Sequence, residues 1–512
     1  MSEFRLGRFW RTFAVTWALI ALLMTAWSLA TPLGAAPDEP AHLVKAAAVV
    51  RGEFIGEPGP AGQLVKVPKY IGFVINQTCF AFDGNVSASC TLPVPGDADQ
   101  TVTAATTAGL YNPLYYLLTG WPSLLFRDST GIFAMRIVSA LLVSLFCAMS
   151  IAVLSTWKRS TILIISALVA ATPMVLFLGG VVNPNSLEIA STLAAFVALY
   201  SVVRGSSALS PRFLWTVFGV SAVVAVNMRG LSVLWLSVAT VAVLLAVPRD
   251  SVVALVKQRS SLISVGAVGA ASIFALVWVL GTNSLGAGLN GSGPPSTAPG
   301  VGTSALGGFL YTLLSTAEYA EGIIGVFGWL DTPAPPYAFF AWSVLIGGLL
   351  VWGAVALFGR RLVAPAVLLA SVILLPAILQ GLYITRGGII WQGRYILPLF
   401  VCLAVAVGVG LAETVELAPS LQVRLSALVT VGWASAQFYS FATAGRRYAV
   451  GLDRSWGNLL PLEWEPPGGL ALSLALYAAV LVAAGYALVV YFRALRRENS
   501  GDLRPAHTTS MH

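Results

Sequence analysis

Charge is what this 512-residue chain has least of: only 10% of its residues are Asp, Glu, Lys or Arg, against about 25% in a soluble domain. That shortage excludes an ordinary water-exposed surface. Histidine and cysteine are also rare, with three and four copies. The chain shows no Walker, Rossmann or zinc-ligand spacing and no internal repeat, so nothing points to a soluble nucleotide-binding domain. Apolar residues fill the space. They make up 57% of the chain, with a mean hydropathy of +0.83. This is the composition of an integral membrane protein.

A span needs about 20 apolar residues. Twelve segments qualify, at roughly 12–33, 130–156, 161–181, 186–203, 213–228, 231–247, 261–281, 338–358, 364–384, 395–412, 424–442 and 469–492. The expected fold is an all-α polytopic membrane protein with about 12 transmembrane helices. The first apolar run is long enough to span and lacks a clear small-residue cleavage site, so it reads as a retained anchor. Orientation follows from Lys and Arg, which collect on the cytoplasmic side. The segments assigned to that side hold 17 of the 29 basic residues but only 6 of the 21 acidic ones. Both termini are therefore expected in the cytoplasm. The net charge of +8 reflects this bias, not affinity for nucleic acid.

The chain divides into an N-terminus and first span (1–34), a large first extracytoplasmic loop (35–128) and spans two to seven (129–280). A second outer segment (281–337), spans eight to twelve (338–492) and a cytoplasmic tail (493–512) follow. In the first loop, 41–51 and the aromatic-rich 110–126 are expected to form short interfacial helices, although the second is open to being an extra span. Residues 281–308 are dominated by Gly, Ser, Pro and Thr and read as a flexible loop, a lid or a linker. Semi-apolar residues 309–329 follow, and the last outer segment is 444–468. The tail after Arg497 is expected to lack regular structure. Cys79 and Cys90 share the first loop, where an oxidising compartment would favour a disulfide. Cys147 and Cys402 lie in apolar spans.

Chemistry concentrates at the outer face. Asp38 and Glu39 stand between Pro37 and Pro40, directly after the first span. A carboxylate held near an acceptor hydroxyl acts as a general base, and partial dehydration is expected to raise its pKa. Asp38 is equally suited to cap a helix starting near Pro40. His42 follows three residues after Glu39, on the same helical face. Gln392, Arg394 and Tyr395 open the tenth span. Arg394 suits bidentate phosphate binding, with Arg386 as a second candidate, and interfacial anchoring is the plainer alternative. Asn183 and Asn185 flank Pro184 ahead of the fourth span, as helix caps or sugar-hydroxyl ligands. Glu318 and Asp331 form a weaker set. Arg136 and Arg229 are the charges that fall in or beside span interiors, where a charge is costly unless paired. An Asp/Glu/His trio leaves a divalent cation open, but three neighbouring ligand types are weak evidence for a metal site.

The run Asp-Glu-Pro-x-His after span one, the Asn183-Pro184-Asn185 turn, Phe327–Asp331 and Gln392–Pro398 resemble the bacterial membrane-protein family of unknown function 2142. That family resembles in turn the GT-C glycosyltransferases, which take a sugar from a polyprenyl-phosphate donor on the extracytoplasmic side. The resemblance implies a GT-C-like fold in a bacterial cell membrane, with Asp38 as base, Glu39 as its neighbour and Arg394 on the donor phosphate. The expected partners are that donor, membrane lipid, and a glycan, lipid or protein acceptor. The rival readings are a transporter or flippase for lipid-linked sugars and a glycan polymerase or ligase.

Overall fold

The structure is a computed structural model that describes residues 2–256, 258–285, 297–458 and 460–501. The chain begins with α1 (Ser2–Ala30). The first loop holds α2 (Glu39–Val49), β1 (Glu57–Gly59), β2 (Gly62–Pro68), α3 (Lys69–Gly72), β3 (Thr101–Thr106) and α4 (Leu114–Gly120). The bundle continues through α5 (Thr130–Ser155), α6 (Ser160–Ala170), α7 (Pro173–Gly179), α8 (Pro184–Arg204), α9 (Pro211–Val226), α10 (Ser232–Leu245), the short α11 (Arg249–Val256) and α12 (Arg259–Thr282). A second loop carries α13 (Ala305–Leu314), α14 (Thr316–Ile324), β4 (Val326–Phe327) and β5 (Thr332–Pro333). Then come α15 (Pro336–Ala356), α16 (Arg360–Gly387), α17 (Leu397–Thr414), α18 (Pro419–Val450) and α19 (Leu470–Gly501).

All twelve apolar segments are helical, because backbone in hydrocarbon must satisfy its own N–H and C=O groups. Among the described residues, eight helices are long and apolar enough to cross a membrane. The count is nine if α6 and α7, bent by 69° at their junction, form one span. The other three segments fall short in different ways. α9 and α10 are only 16 and 14 residues long. α18 is long, but Gln422, Arg424, Gln437, Arg446 and Arg447 dilute it.

Several boundaries differ from expectation. α18 runs to Val450, well into the segment read as an outer loop. α19 continues past Arg497 to Gly501, so the helix takes up part of the expected tail; 502–512 lie outside the described residues. Of the Gly/Ser-rich segment, 286–296 likewise lie outside them. Residues 110–126 do not form a span: α4 has seven residues and ends in a 3-10 turn at Trp121–Leu124, far short of a membrane crossing.

The first loop also contains a sheet where only helices were expected. β2 pairs antiparallel with β1 and with β3, in register from Gln63↔Thr106 to Pro68↔Thr101. Val65 and Val67 are buried while Lys66 between them is exposed, the alternation of a half-buried strand. The sheet and α4 enclose α2, whose Lys45 is fully buried and donates to the Phe54 and Gly109 carbonyls.

Two buried arginines tie this loop to the bundle. Arg136 of α5 spends its donors on the Ser28, Thr31 and Pro32 carbonyls at the end of α1 and on both oxygens of Glu39. It thereby satisfies carbonyls that a helix C-terminus leaves without partners. Arg447 of α18 donates to the Phe80, Asp83 and Val86 carbonyls, to Thr332 and to Asp331. The loop it grips is closed by a Cys79–Cys90 disulfide. Closing a ring of this size removes about 3 kcal/mol of unfolded-state entropy. Cys79→Ser/Cys90→Ser is therefore expected to lower stability by about that amount, read as a reductant-independent fall in the melting temperature to that of the reduced wild type.

Candidate functional site

A cavity of about 440 Å3 lies where α9, α12 and α16 finish and α8 and α10 begin. Asp38, His42, Asn185, Glu188, Arg229 and Tyr395 contribute its polar lining, and Trp235, Leu285, Leu379 and Trp391 are among its apolar walls. The volume falls in the range of small-ligand sites.

Asp38 stands at the head of α2, but its side chain does not cap the helix. Its backbone is left-handed, with φ 62° and ψ 1°, a region uncommon outside glycine and tolerated best by Asp and Asn. Two anchors hold it there. The Asn183 amide donates to the Pro37 carbonyl, and the adjoining Glu39 is locked by Arg136 and by the Val182 N–H. The Asp38 carboxylate accepts from Arg394 at 2.7 Å while its side chain stays half exposed.

The sequence suggested a raised pKa here; the structure reverses that. Burial, the largest single influence, pushes the Asp38 carboxyl up, but the positive charges beside it, Arg394 foremost and Arg229 with it, outweigh burial and the net shift is downward. Asp38 is thus ionised at every pH above the ordinary carboxylate range. Burial takes His42 from 6.5 down to about 3, against the opposing pull of Asp38. The neutral ring bonds to the Tyr116 hydroxyl through Nδ1 at 2.9 Å. An unfolded chain binds the His42 proton below about pH 6.5 and the folded one only near 3. Stability is therefore expected to fall as pH drops from about 6.5 toward 3 and to be insensitive to His42 above that window. His42→Asn should flatten this limb in pH-dependent thermal unfolding.

Arg229, in the link between α9 and α10, was marked in the sequence as a charge beside a span but not as a site residue. It donates to the Asn185 side-chain oxygen, and its guanidinium lies 5.0 Å from the Tyr395 ring centroid and 5.7 Å from that of Tyr111. Glu188 lines the same cavity and accepts from Ser232 at 2.5 Å. The signal was available: a charge at a span boundary needs a partner or water. Gln380 accepts from the Ile390 and Trp391 amides and donates to the Gly388 carbonyl, fixing the turn that presents Trp391.

Donors remain unspent around the cavity. Among the described residues, Arg394 Nε and Nη1, Asn185 Nδ2 and Trp391 Nε1 are buried with no hydrogen-bond partner. A buried donor without an acceptor costs about 1–3 kcal/mol, so such a cluster fits an incoming acceptor-rich group.

Of the residues singled out from sequence, the structure brings Asp38, His42, Asn185 and Tyr395 to the cavity, with Arg394 directly behind Asp38. The others sit elsewhere. Glu39 is fully buried with both oxygens engaged by Arg136. Asn183 caps α8 by accepting from the Asn185 N–H. Gln392 precedes the 3-10 turn at Gly393–Ile396. Arg386 is in the last turn of α16 and is not among the cavity residues. Glu318 is exposed on α14, and Asp331 is buried against Arg447. No group of three or more His, Cys, Asp or Glu side chains among the described residues is placed to hold a metal ion.

A family model described as a predicted membrane protein (DUF2142) matches residues 21–403. The chain belongs to this family. The match covers the Asp38 turn, Arg229 and Arg394, and stops short of α18 and α19. No curated protein matches this family member. Among solved structures it is similar to ArnT from Cupriavidus metallidurans bound to undecaprenyl phosphate, at 14% identity and a TM-score of 0.44, covering 95% of this chain and 78% of that one. Against ArnT from the same organism in the apo state the values are 12% and 0.47, with 94% and 77% covered.

Proposed function

We propose that this membrane protein is an inverting glycosyltransferase that moves a sugar from a polyprenyl-phosphate donor to a hydroxyl of a cell-envelope glycan, lipid or protein. The observation that carries this reading is one cavity lined by the Asp38 carboxylate, the Arg229 guanidinium and the unspent donors of Asn185 and Trp391, between apolar and aromatic walls and with Arg394 directly behind Asp38. The donor's phosphate occupies Arg229 and the free Nε and Nη1 of Arg394, drawing Arg394 off Asp38. Asp38 then takes the proton of the acceptor hydroxyl as its oxygen attacks the anomeric carbon. The bond from that carbon to the phosphate oxygen breaks, and the two arginines stabilise the charge gathering on the departing phosphate. One displacement inverts the anomeric centre. Glu39 acts as a positioning residue, since Arg136 occupies both its oxygens.

In this reading the cavity faces outward from a bacterial cell membrane, with both termini in the cytoplasm. The test is transfer of radiolabelled sugar from a panel of polyprenyl-phosphate donors in membranes carrying wild type or Arg229→Gln. Wild type should label an acceptor. Arg229→Gln should raise KM for the donor by about tenfold or more, the loss of one charge-assisted contact of about 1.5–3 kcal/mol.

The rival reading, translocation of a lipid-linked sugar, draws on the 69° break between α6 and α7, since broken helices are common in transporters. The carbonyl freed at that break is already taken: Ala171 accepts from Trp433 and Gln437. Label that crosses vesicles without forming product would favour translocation.

A further inference from the structure

A second cavity, of about 450 Å3, opens near the opposite end of α1 from Asp38. Its α1 wall is one stripe, running from Arg11 through Val15 and Leu19 to Leu23, the four-residue repeat of a single helix face. From position 11 to position 23 the helix rises about 18 Å. α19 forms the facing wall, and the floor reaches Ala190 of α8, which is fully buried. The far end stops at Leu23 and Ala171, beside the α6–α7 break.

The lining is mostly apolar, with Thr12 and Thr16 on the α1 side, and carries its one charged side chain, Arg11, at an end. Arg11 is exposed and has no ion-pair partner among the described residues. Val15, 42% exposed, marks where the slot opens to the bundle's outer surface. One leaflet of hydrocarbon is half of about 30 Å, so a slot of about 18 Å accommodates a single leaflet's chain with its headgroup at the rim.

We propose that this slot holds one acyl chain of an anionic membrane phospholipid, with the lipid phosphate against Arg11. A straight chain fills the narrow stripe between α1 and α19, and an anionic headgroup supplies the charge that Arg11 lacks. A polyprenyl chain, methyl-branched and longer than the slot, overruns its end at Leu23 and Ala171. The bound chain braces Val175 and Leu176 of α7, which line the slot. α7 leads directly to Val182, whose N–H holds Glu39. The lipid therefore supports the strut on which the Asp38 turn rests. The site is independent of the glycosyltransferase reading.

The experiment uses the full-length protein, purified in detergent and stripped of phospholipid. Its melting temperature is followed with added dipalmitoyl phosphatidylglycerol, dipalmitoyl phosphatidylcholine or polyprenyl phosphate. The anionic phospholipid should raise the wild-type melting temperature by about 5 °C, as saturating a native-state site does. The zwitterionic lipid should give less than half of that. Arg11→Gln, an exposed change, should abolish the difference between the two. Thr16→Trp, which fills the slot at a half-buried position, should abolish the response to both; if it does not fold, Arg11→Gln decides. Equal stabilisation by the two phospholipids, a preference that survives Arg11→Gln, or no response in wild type would each overturn the proposal. A shift that depends on Arg11 but appears only with polyprenyl phosphate would assign the slot to that lipid instead.

Discussion

Asp38→Asn keeps the fold and loses sugar transfer by about 10²–10⁴-fold, the usual contribution of a positioned general base. The two halves of that result have separate causes. Asn tolerates the left-handed backbone almost as well as Asp, and its side-chain oxygen still accepts from Arg394. The amide has no basic oxygen for the acceptor's proton. Asp38→Gly should be equally inactive; glycine adopts φ 62° freely, but the variant should lose about 1–3 kcal/mol because buried Arg394 is left without its acceptor. Asp38→Ala should be inactive and less stable than the glycine variant by about 1 kcal/mol, from Cβ crowding in the left-handed region. Transfer assays and thermal unfolding of the three variants separate the carboxylate from the turn. Full activity in Asp38→Asn would eliminate it as the base. Because Arg394 and its neighbours hold the Asp38 carboxyl of the donor-free protein below its usual range, its protonation should place no acid limb on kcat/KM above about pH 4. Such a limb would have to come from another group.

The largest loss of stability should follow Arg136→Met. That change leaves Glu39, fully buried, facing no cation and frees three carbonyls at the end of α1. Breaking a buried ion pair from one side costs about 3–5 kcal/mol, a large share of the roughly 5–15 kcal/mol that keeps a protein folded. Size-exclusion profiles of the detergent extract should show little monodisperse protein. Adding Glu39→Gln to Arg136→Met should recover part of the loss, since the uncompensated charge is then gone. If the single variant unfolds at the wild-type temperature, Arg136 is not the anchor. Sugar transfer by the double variant would further show that Glu39 positions the turn and does not react.

The neighbours Asp38 and Glu39 show how far the sequence reaches. It marked both as unusual, one acidic pair between two prolines at the end of a span. It had no means of separating them. Consecutive residues entering a helix point about 100° apart. One side chain therefore goes to the cavity, and the other goes to Arg136, 97 positions along the chain. Arg394 was marked as a phosphate ligand on its chemistry alone; that its first partner is Asp38, 356 residues away, is a tertiary fact. Arg229 was visible as a misplaced charge, but Tyr111, Asn185 and Tyr395, which make it tolerable, come from three separate parts of the chain. The sheet in the first loop was half legible. The alternation around Lys66 is in the sequence, but β3, which completes the pairing, begins more than thirty residues later.

The sequence by itself determined that the chain is a bundle of apolar helices in a membrane and roughly where those helices lie, but not how many of the twelve are long and apolar enough to cross it. In hydrocarbon the only partners for a span's backbone are in the same span, so about twenty consecutive residues settle the matter locally. Only the tertiary structure decided which polar groups meet at the cavity, which of the two carboxylates faces it, and which way the Asp38 pKa moves. Those outcomes depend on charges a few ångströms apart in space and hundreds of residues apart in the chain, and Coulomb interactions follow distance, not sequence order.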